Sequence, residues 1–346
     1  MITLINIARK QSGIGRYARD IKDALGNDCN LYSFRLDKNS PESNFDGHVV
    51  NGFYPPITSG WRLNLRFFRH TYRKSIQTLL QNNEKRIFHY IDGTIPPFTQ
   101  AEKSLVTIHD LFSYYGEDDK EGPIGINRRT IQKYINFPNI LTVSHTVRKE
   151  LEEFGFNGKI EVIYPTISRN FVKLDNKIEI RKKLGLPESK KIILSISSIL
   201  PRKNLRILPS TFAGLGDDFK LLRVGNKVMD NEINFSNVGE DTLNLLYNAA
   251  DALVFPSLRE GFGYPMVEAF SVGLPVVCSD IEIFHEIGGN GAKFVKSTPE
   301  DFAQGIKEAL DEKEDMSQKA LERSRLFNFE NFKNRMLSYY QSLNPR

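Results

Sequence analysis

The chain has 346 residues, of which 40% are hydrophobic and 26% are charged, and its formal net charge is +5 at pH 7. This length predicts about two domains on the usual scale of roughly 100–200 residues, and the composition is typical of a soluble globular protein. Repeat arrays and bilayer-spanning helices are excluded, because the sequence has no internal repeat and no apolar run of roughly 18–20 residues. The mild charge gives no argument for nucleic acid as a partner.

The two cysteines, Cys29 and Cys278, lie far apart and outside any CxxC motif. We therefore expect neither a disulfide framework nor a zinc site. The first residues lead directly into a strand-like run, so no signal peptide is predicted. Together these features predict a reduced, cytoplasmic protein.

A strand, a glycine-containing loop and a helix open the chain. Residues 2–8 are apolar and β-prone, residues 9–15 predict a loop, and residues 16–25 carry apolar side chains at a helical period. At the start of a helix the triplet Gly13–Gly15 can bring backbone amides to a phosphate or a sugar, although many such triplets merely turn the chain. A dinucleotide dehydrogenase is disfavoured, because the G-x-G-x-x-G spacing is absent.

A basic and aromatic segment, residues 61–80, follows two further predicted strands at 31–36 and 48–54. A basic amphipathic helix of this kind can lie on an anionic membrane surface. The alternative, which we favour, is a helix that packs its apolar face on the sheet and keeps its arginines in solvent. Peripheral contact with the inner face of a membrane is kept as a hypothesis.

Polar residues end two predicted strands of the first half. His109 and Asp110 close the strand at 104–111, at the carboxyl end where open α/β sheets bind ligands. A lone histidine is more often structural than catalytic, so position alone leaves its role open. Further on, a strand runs into a helix that has Ser144 or Thr146 as its N-cap.

The second half begins after a polar and charged segment, residues 168–188, that we interpret as a linker. The buried strand that follows ends in the run Pro201–Asn204. Within this run Lys203 can reach a diphosphate as a compact charge while helix amides assist. The alternative is a solvated basic turn. Gly225 closes the next strand and faces the same edge.

The segment 253–275 predicts a buried strand, a short loop and a helix that starts near Pro265 and ends at Gly273. Two carboxylates, Glu260 and Glu268, bracket the glycine-rich part of the loop. A carboxylate can accept two hydrogen bonds and so suits the paired hydroxyls of a ribose or a hexose. The alternatives are that Glu268 only complements the helix dipole and that Glu260 is an exposed loop acid.

The run Tyr247–Asp280 resembles the donor-site signature of the retaining, family-4-type glycosyltransferases of the GT-B fold, with an E-x7-E motif. The resemblance implies an α/β protein with two Rossmann-like, doubly wound domains that face each other across a cleft. On this basis we expect an acceptor-side domain at 1–170 and a donor-binding domain at 171–325. A final helix, about 326–346, is expected to pack back on the first domain.

The resemblance also assigns roles to single residues. It implies that His109, Glu260 and Lys203 are catalytic. The donor-binding positions it implies are Gly13, Ile14, Gly15, Arg202, Lys203, Gly225, Gly261, Phe262, Gly263, Tyr264 and Glu268. The acceptor-side positions it implies are Arg16, Tyr17, Asp110 and Ser144. The chain departs from the pattern at Ser197–Ser198, where many relatives have Gly-Arg, so the second phosphate-binding arginine is either absent or replaced by Arg202.

The activity implied by the resemblance is transfer of a mannose- or glucose-type hexose, with retained anomeric configuration. The donor would be a GDP- or UDP-linked sugar, and the acceptor a hydroxyl of a glycan, a lipid-linked molecule or a small molecule. No metal and no cofactor are expected. Two alternatives stay open: a nucleotide-sugar epimerase on the same scaffold and an inactive nucleotide-sugar-binding protein.

Overall fold

The computed structural model describes residues 2–6, 12–34, 48–50, 87–93, 97, 104–115 and 131–343. The basic aromatic segment 61–80 lies outside these residues. The chain forms two compact units. Unit 1 comprises residues 1–165 and 332–346, and unit 2 comprises residues 166–331.

Unit 1 is built on a parallel sheet of seven strands. In chain order its described elements before residue 166 are β1 (Ile2–Asn6), α1 (Gly13–Leu25), β2 (Cys29–Phe34), β3 (His48–Val50), β4 (Ile87–Tyr90), β5 (Leu105–Ile108), α2 (Phe112–Tyr115), β6 (Asn139–Thr142), α3 (His145–Phe154) and β7 (Lys159–Val162). The strands lie in the order β3-β2-β1-β4-β5-β6-β7. Strands β1, β4, β5 and β6 are buried at every position, as expected for a parallel sheet covered on both faces.

Unit 2 is built on a second parallel sheet, of six strands. Its elements are α4 (Lys177–Lys183), β8 (Lys191–Ile196), α5 (Leu208–Leu215), β9 (Phe219–Val224), β10 (Ile233–Phe235), α6 (Glu240–Ala249), β11 (Ala252–Phe255), α7 (Tyr264–Ser271), β12 (Val276–Ser279), α8 (Glu282–Gly288), β13 (Ala292–Val295), α9 (Pro299–Asp311) and α10 (Lys313–Ser324). The strand order is β10-β9-β8-β11-β12-β13. Leu208, Val254 and Phe302, all fully buried, belong to the core that α5 and α9 form on this sheet.

The last helix, α11 (Phe329–Ser342), starts in unit 2 and belongs to unit 1 from Phe332 onward. Tyr340 on this helix lies with its hydroxyl 2.6 Å from Nδ1 of His89 in β4. Arg335 donates to the carbonyl of Val162 at 2.6 Å. Unit 1 is therefore made from two separate parts of the chain.

The α/β class with two Rossmann-like parallel sheets, expected from the sequence, is confirmed. In each sheet the strand order reverses next to the first strand of the unit, between β1 and β4 and between β8 and β11. Such reversals open a crevice at the carboxyl ends of the two strands. Of the described helices, none has both the length and the hydropathy needed to cross a bilayer.

The segment interpreted as a linker, 168–188, is instead fastened to unit 2. Its first part lies along α6, where side chains at successive turns bind its backbone and side chains. The bonds are Ser168 Oγ to Glu240 at 2.9 Å, the Val172 amide to Asn244 Oδ1 at 3.1 Å, and the Leu174 amide to Asn248 Oδ1 at 2.8 Å. Polar composition alone suggested a linker, but these polar groups are paired. The division between the units falls earlier, after Pro165.

Candidate functional site

The crevice of unit 2 lies at the carboxyl ends of β8 and β11, which are neighbours in the sheet. The chain leaves β8 into a 3-10 turn, Pro201–Lys203, and leaves β11 into the loop that holds Glu260. The Leu258 amide donates to the Arg202 carbonyl at 2.7 Å, so the two loops are tied together. Topology therefore brings together residues that are more than fifty positions apart.

Glu260 is held between two cations. Its Oε1 accepts from Lys203 Nζ at 2.5 Å, and its Oε2 lies 3.5 Å from Arg202 Nη1. The Glu260 side chain is 8% exposed and those of the two cations are 13% exposed, so Glu260 is not an exposed loop acid and Lys203 is not a solvated turn residue. Charge-assisted hydrogen bonds of this kind are among the stronger ones in proteins. The cluster thus holds one carboxylate and two cations together at the carboxyl ends of β8 and β11.

The turn after Glu260 depends on Gly263, which caps α7 with φ of 103°. A Cβ at this position would lie 3.3 Å from Phe255 and 3.5 Å from Phe284, so both backbone and space favour glycine. Phe262 is 5% exposed and packs edge-on against Phe327, with centroids 5.6 Å apart. The side chain of Phe262 therefore has a packing role, and its assignment to donor binding stays a prediction.

Two further predicted donor residues, Gly261 and Tyr264, flank that phenylalanine. Gly261 is buried in the same turn, and Tyr264 is the first residue of α7 and half-buried. The ring of Tyr264 stands edge-on to Phe262 at 5.4 Å. The turn is thus a packed structure.

Glu268 is the fifth residue of α7, and not in its first turn as the sequence suggested. The effect of a helix dipole falls off within the first turn, so dipole compensation does not account for this acid. Glu268 is only 2% exposed, and the buried hydroxyl of Tyr247 donates to its Oε2 at 2.6 Å. A carboxylate fixed in this way is oriented before any ligand binds.

Gly225 follows β9 with φ of 127°, and its amide donates to the Phe235 carbonyl at 2.9 Å. Beside it lies a residue that sequence reasoning missed, Arg223, which is fully buried in β9. Its guanidinium donates to the carbonyls of Ser195 and Ser197 in the strand and loop of β8. The available signal was an arginine next to the apolar pair Leu221–Leu222 in the strand FKLLRV, which also carries Lys220.

In unit 1, His109 follows β5 and is half-buried. Its Nε2 donates to the Ile91 carbonyl at 2.9 Å, so this nitrogen carries the proton in the neutral ring. Burial lowers the pKa of His109 to about 4, because desolvation of the charged ring outweighs that hydrogen bond. His109 is thus a neutral imidazole near pH 7, with Nδ1 as its acceptor atom.

The predicted acceptor-side residues have structural duties. Tyr17 is fully buried and stands edge-on to His109, with centroids 4.9 Å apart, so it supports that ring. Ser144 is also fully buried and caps α3, since its Oγ accepts from the Val147 amide at 3.1 Å. Asp110 Oδ1 accepts from the Phe112 amide at 3.0 Å and shapes the start of α2.

The glycine triplet forms the first turn of α1 and is not part of a loop. Ser12 caps this helix and its Oγ accepts from the Gly15 amide at 3.0 Å, so that amide is committed to the cap. Ile14 and Arg16 lie half-buried in the same turn. Of this triplet, the backbone amides of Gly13 and Ile14 keep the position expected for an anion-binding helix terminus. Within the described part of the chain, no group of three His, Cys, Asp or Glu side chains is arranged to hold a metal ion.

Two family models match the chain. The model of the glycosyl transferases group 1 matches residues 176–326, and the model of glycosyltransferase family 4 matches residues 11–171. Among curated proteins, the O-antigen chain mannosyltransferase RfbU of Salmonella typhimurium is 26% identical over 253 residues, which are 68% of this chain and 68% of that protein.

Solved structures of similar fold cover nearly the whole chain. Sucrose-phosphate synthase from Thermosynechococcus elongatus superposes with a TM-score of 0.80 at 19% identity, covering 99% of this chain and 98% of that one. Anabaena HepE, solved in complex with UDP-glucose, superposes with a TM-score of 0.77 at 15% identity, covering 99% of each chain. At these identities the likeness shows the fold, which is GT-B. The chain therefore belongs to the GT-B glycosyltransferases, with a family 4 domain in its first half and a group 1 domain in its second.

Proposed function

We propose that the protein is a retaining hexosyltransferase that moves a mannose- or glucose-type sugar from a nucleotide diphosphate sugar to a hydroxyl acceptor. The observation that carries the proposal is the Lys203–Glu260–Arg202 cluster at the carboxyl ends of β8 and β11. It combines cations for a diphosphate with a carboxylate for sugar hydroxyls. Membership of the glycosyltransferases supports the reaction class.

The costly event in such a reaction is loss of the nucleotide diphosphate from the anomeric carbon. Lys203 and Arg202 would stabilise the charge that develops on the leaving phosphate oxygens. Because Lys203 is bound to Glu260 without ligand, a diphosphate that takes over the lysine would release the carboxylate toward the sugar. We propose that no metal ion or organic cofactor is required, since these side chains supply the positive charge.

The bond changes of the proposed reaction are simple. The bond between the anomeric carbon and the diphosphate oxygen breaks, and a bond from the same carbon to the acceptor oxygen forms. The acceptor proton passes to the departing diphosphate, and retention means that the new bond forms on the face the diphosphate left. Glu268, oriented by Tyr247, would accept the two hydroxyls of the ribose. Neutral His109 would accept a hydrogen bond from a substrate hydroxyl through Nδ1.

The substrate class is inferred from relatives. The name of RfbU, a mannosyltransferase of O-antigen chains, supports mannose as the sugar and a glycan as the acceptor. The UDP-glucose bound to HepE supports glucose and a uridine donor as the second possibility. A lipid-linked acceptor, and contact of residues 61–80 with a membrane, are further proposals. Co-sedimentation with anionic vesicles tests the membrane contact, and absence of binding at low salt would contradict it.

A donor screen tests the reaction directly. Purified protein is incubated with GDP-mannose, UDP-glucose and UDP-N-acetylglucosamine, with and without a glycan acceptor, and the anomeric configuration of the product is read by NMR. We expect transfer only when acceptor is present, with the α or β configuration of the donor kept. An inverted product would contradict retention. A donor converted to its epimer without acceptor would favour the epimerase.

Glu260→Gln tests the role of the central carboxylate. This change keeps the shape of the side chain but removes its charge, so we expect kcat to fall by about 100–1,000-fold, the loss typical of a removed charge-stabilising group. Because Glu260 is nearly buried between Lys203 and Arg202, the change should also lower the melting temperature, so kcat is compared at a temperature at which both proteins are folded. The matched control is Glu314→Gln on the exposed face of α10, which should leave both values unchanged. A Glu260→Gln protein with ordinary turnover would overturn the assignment.

A further inference from the structure

Arg223 is a fully buried arginine whose hydrogen bonds all go to neutral groups. Nη1 donates to the carbonyls of Ser195 at 3.0 Å and Val224 at 2.6 Å, and Nη2 donates to the carbonyl of Ser197 and to its Oγ at 3.2 Å. The buried Nε has no hydrogen-bond partner among the described residues. Hydrogen bonds to neutral groups therefore hold the charged guanidinium in place.

The acid with the main electrostatic influence on this charge is Glu232, but it is engaged elsewhere. Its Oε2 accepts from the amides of Val228 and Met229 at 3.1 and 3.0 Å, and its Oε1 accepts from Asn234 at 3.0 Å. Burial lowers the pKa of Arg223 to about 10, with Glu232 opposing the shift, so the group stays charged at pH 7. A buried charge without an ion-pair partner is costly. Groups whose pKa is strongly shifted by burial are found preferentially at functional sites.

Arg223 lies near the carboxyl end of β9, which is the end of the sheet where the candidate donor site is found. Arg223 pairs with Ser195 in the β8–β9 register, and Ser197 starts the loop that leads to Arg202 and Lys203. A Cβ on Gly225 would come within 3.1 Å of Nη2, so the glycine makes room for the charged group. The bonds to Ser195 and Ser197 hold the base of this loop.

The sequence differs from the family pattern at the same place. The resemblance described above implies an arginine at the second position of Ser197–Ser198, and this chain has Ser198 there. The guanidinium of Arg223 comes from the neighbouring strand and contacts Ser197, the residue before Ser198, through both its carbonyl and its hydroxyl. A positive charge is therefore supplied to the loop from within the fold.

We propose that Arg223 is a charged positioning residue of the donor site: it holds the end of β8 at Ser195–Ser197 in place, and its buried positive charge is neutralised by the diphosphate of the donor. This inference rests on the proposed function of the β8–β11 edge. It extends that function by a residue that the family pattern does not assign. The donor phosphates, rather than the base or the sugar, are the part of the ligand it serves.

The test compares ligands that differ only in phosphate number. Binding of the nucleoside diphosphate, the monophosphate and the nucleoside is measured by calorimetry, using the guanosine or the uridine series according to which diphosphate the wild type binds. Arg223→Gln should weaken diphosphate binding by about 10–100-fold, the loss expected for a hydrogen-bonded charge, and nucleoside binding by less than about twofold. Arg223→Lys, which keeps the charge, should retain most of the diphosphate affinity.

The matched control is Arg325→Gln, the same substitution at an exposed arginine of unit 2. It should leave the preference for the diphosphate unchanged, because an exposed charge is screened by salt. If Arg223→Gln and Arg223→Lys lose diphosphate and nucleoside affinity in equal proportion, Arg223 is only a structural element and the inference is wrong.

A second pair of variants covers the case in which Arg223→Gln does not fold. Ser197→Asp places a carboxylate next to Nη2, whereas Ser197→Asn places an uncharged group of the same shape there. We expect the Asp variant to melt at a higher temperature than the Asn variant and to bind the diphosphate at least tenfold more weakly, since a close ion pair replaces the ligand as counter-charge. Equal melting temperatures would overturn the inference. A wild type that binds no nucleoside diphosphate would instead refute the proposed function.

Discussion

At the scale of single residues, two histidines of unit 1, the fully buried His89 and the half-buried His109, connect the packing of this unit to its chemistry. His89 is fully buried, with Nδ1 2.6 Å from the Tyr340 hydroxyl and Nε2 2.7 Å from Thr107 Oγ1. Burial lowers the pKa of His89 to about 3, and the nearby His109 lowers it further. Both histidines are therefore held neutral by the fold, which suits hydrogen bonding and does not suit proton transfer near pH 7.

His89 should make the stability of unit 1 depend on pH. Its pKa is 6.5 in the unfolded chain and about 3 in the folded one, so the unfolded state binds the proton first as the pH falls. The stability from the neutral ring is complete above pH 6.5 and is lost toward pH 3, at about 1.4 kcal/mol per pH unit. Urea unfolding at several pH values between 4.5 and 8 measures this slope.

His89→Gln should reduce that slope by about 1.4 kcal/mol per pH unit, because the replacement side chain does not titrate, and should leave the part that comes from the lowered pKa of His109. Tyr340→Phe is the matched control: it removes the hydroxyl next to His89 and keeps the histidine. We expect the control to lower stability by about 1 kcal/mol at every pH, the usual net value of a hydrogen bond, with the slope unchanged. An unchanged slope in His89→Gln would contradict a buried neutral histidine.

At the scale of secondary-structure elements, the carboxylate of Asp251 joins helix α4 to the sheet of unit 2. Asp251 lies just before β11 and accepts from Arg181 at 2.6 Å and Lys177 at 3.0 Å, both on α4. It also accepts from the Ile192 amide of β8 at 2.7 Å. Burial acts to raise the pKa of Asp251, but Lys177, the Ile192 amide and Arg181 outweigh it and keep the pKa below its usual value. The acid therefore fastens the short helix α4 to the sheet.

Asp251→Asn should destabilise unit 2 strongly. The change leaves Arg181, 6% exposed, without its charged partner, and breaking a buried ion pair in this way costs about 3–5 kcal/mol. Asp218→Asn is the matched control, since its partner Lys190 lies 3.9 Å away and the Asp218 side chain is 92% exposed. We expect less than about 1 kcal/mol for the control. Chemical unfolding measures both, and similar losses in the two variants would refute the fastening role.

At the scale of the whole molecule, the chain leaves unit 1 after Pro165 and returns to it at Phe332. The returning helix α11 buries Phe332, Met336, Tyr339 and Tyr340, none of them more than 6% exposed. Phe332 packs on Tyr17, and Tyr17 in turn packs on His109. Helix α11 thus supports the candidate site residue His109 through Tyr17.

Truncation after Asn331 should unfold unit 1 and spare unit 2. Loss of buried side chains worth about 1.5–3 kcal/mol each approaches the whole stability of a typical domain, about 5–15 kcal/mol. Hydrogen exchange should show lost protection in β1, β4 and β5 and retained protection in β8 and β11. Truncation after Leu343 is the control and should behave as the full chain. Retained protection of β1 in the protein truncated after Asn331 would show that unit 1 does not need α11.

The sequence alone predicted much of the site at β8 and β11. Strand, turn and helix signals are local: Gly263 and Pro265 start a helix, and the apolar run before them is a buried strand. Because parallel strands in this topology bring their carboxyl ends to one edge, the residues after β8 and β11 could be placed together in advance. The family resemblance then named Glu260 and Lys203, which the structure joins by a direct bond.

The direction and environment of each side chain could not be predicted in the same way. Tyr17 and Ser144 have residue types that suit an acceptor site, yet packing turns both into the core. Arg223 was missed because its partners Ser195 and Ser197 are 28 and 26 residues away in the chain, so no local pattern signals the contact. The sequence by itself determined the two α/β units, because these depend on periodicity and local turns, and it indicated the family through the resemblance carried by the run Tyr247–Asp280. Only the tertiary structure decided which polar groups are paired, buried or presented to a ligand, because burial and pairing depend on contacts between distant parts of the chain.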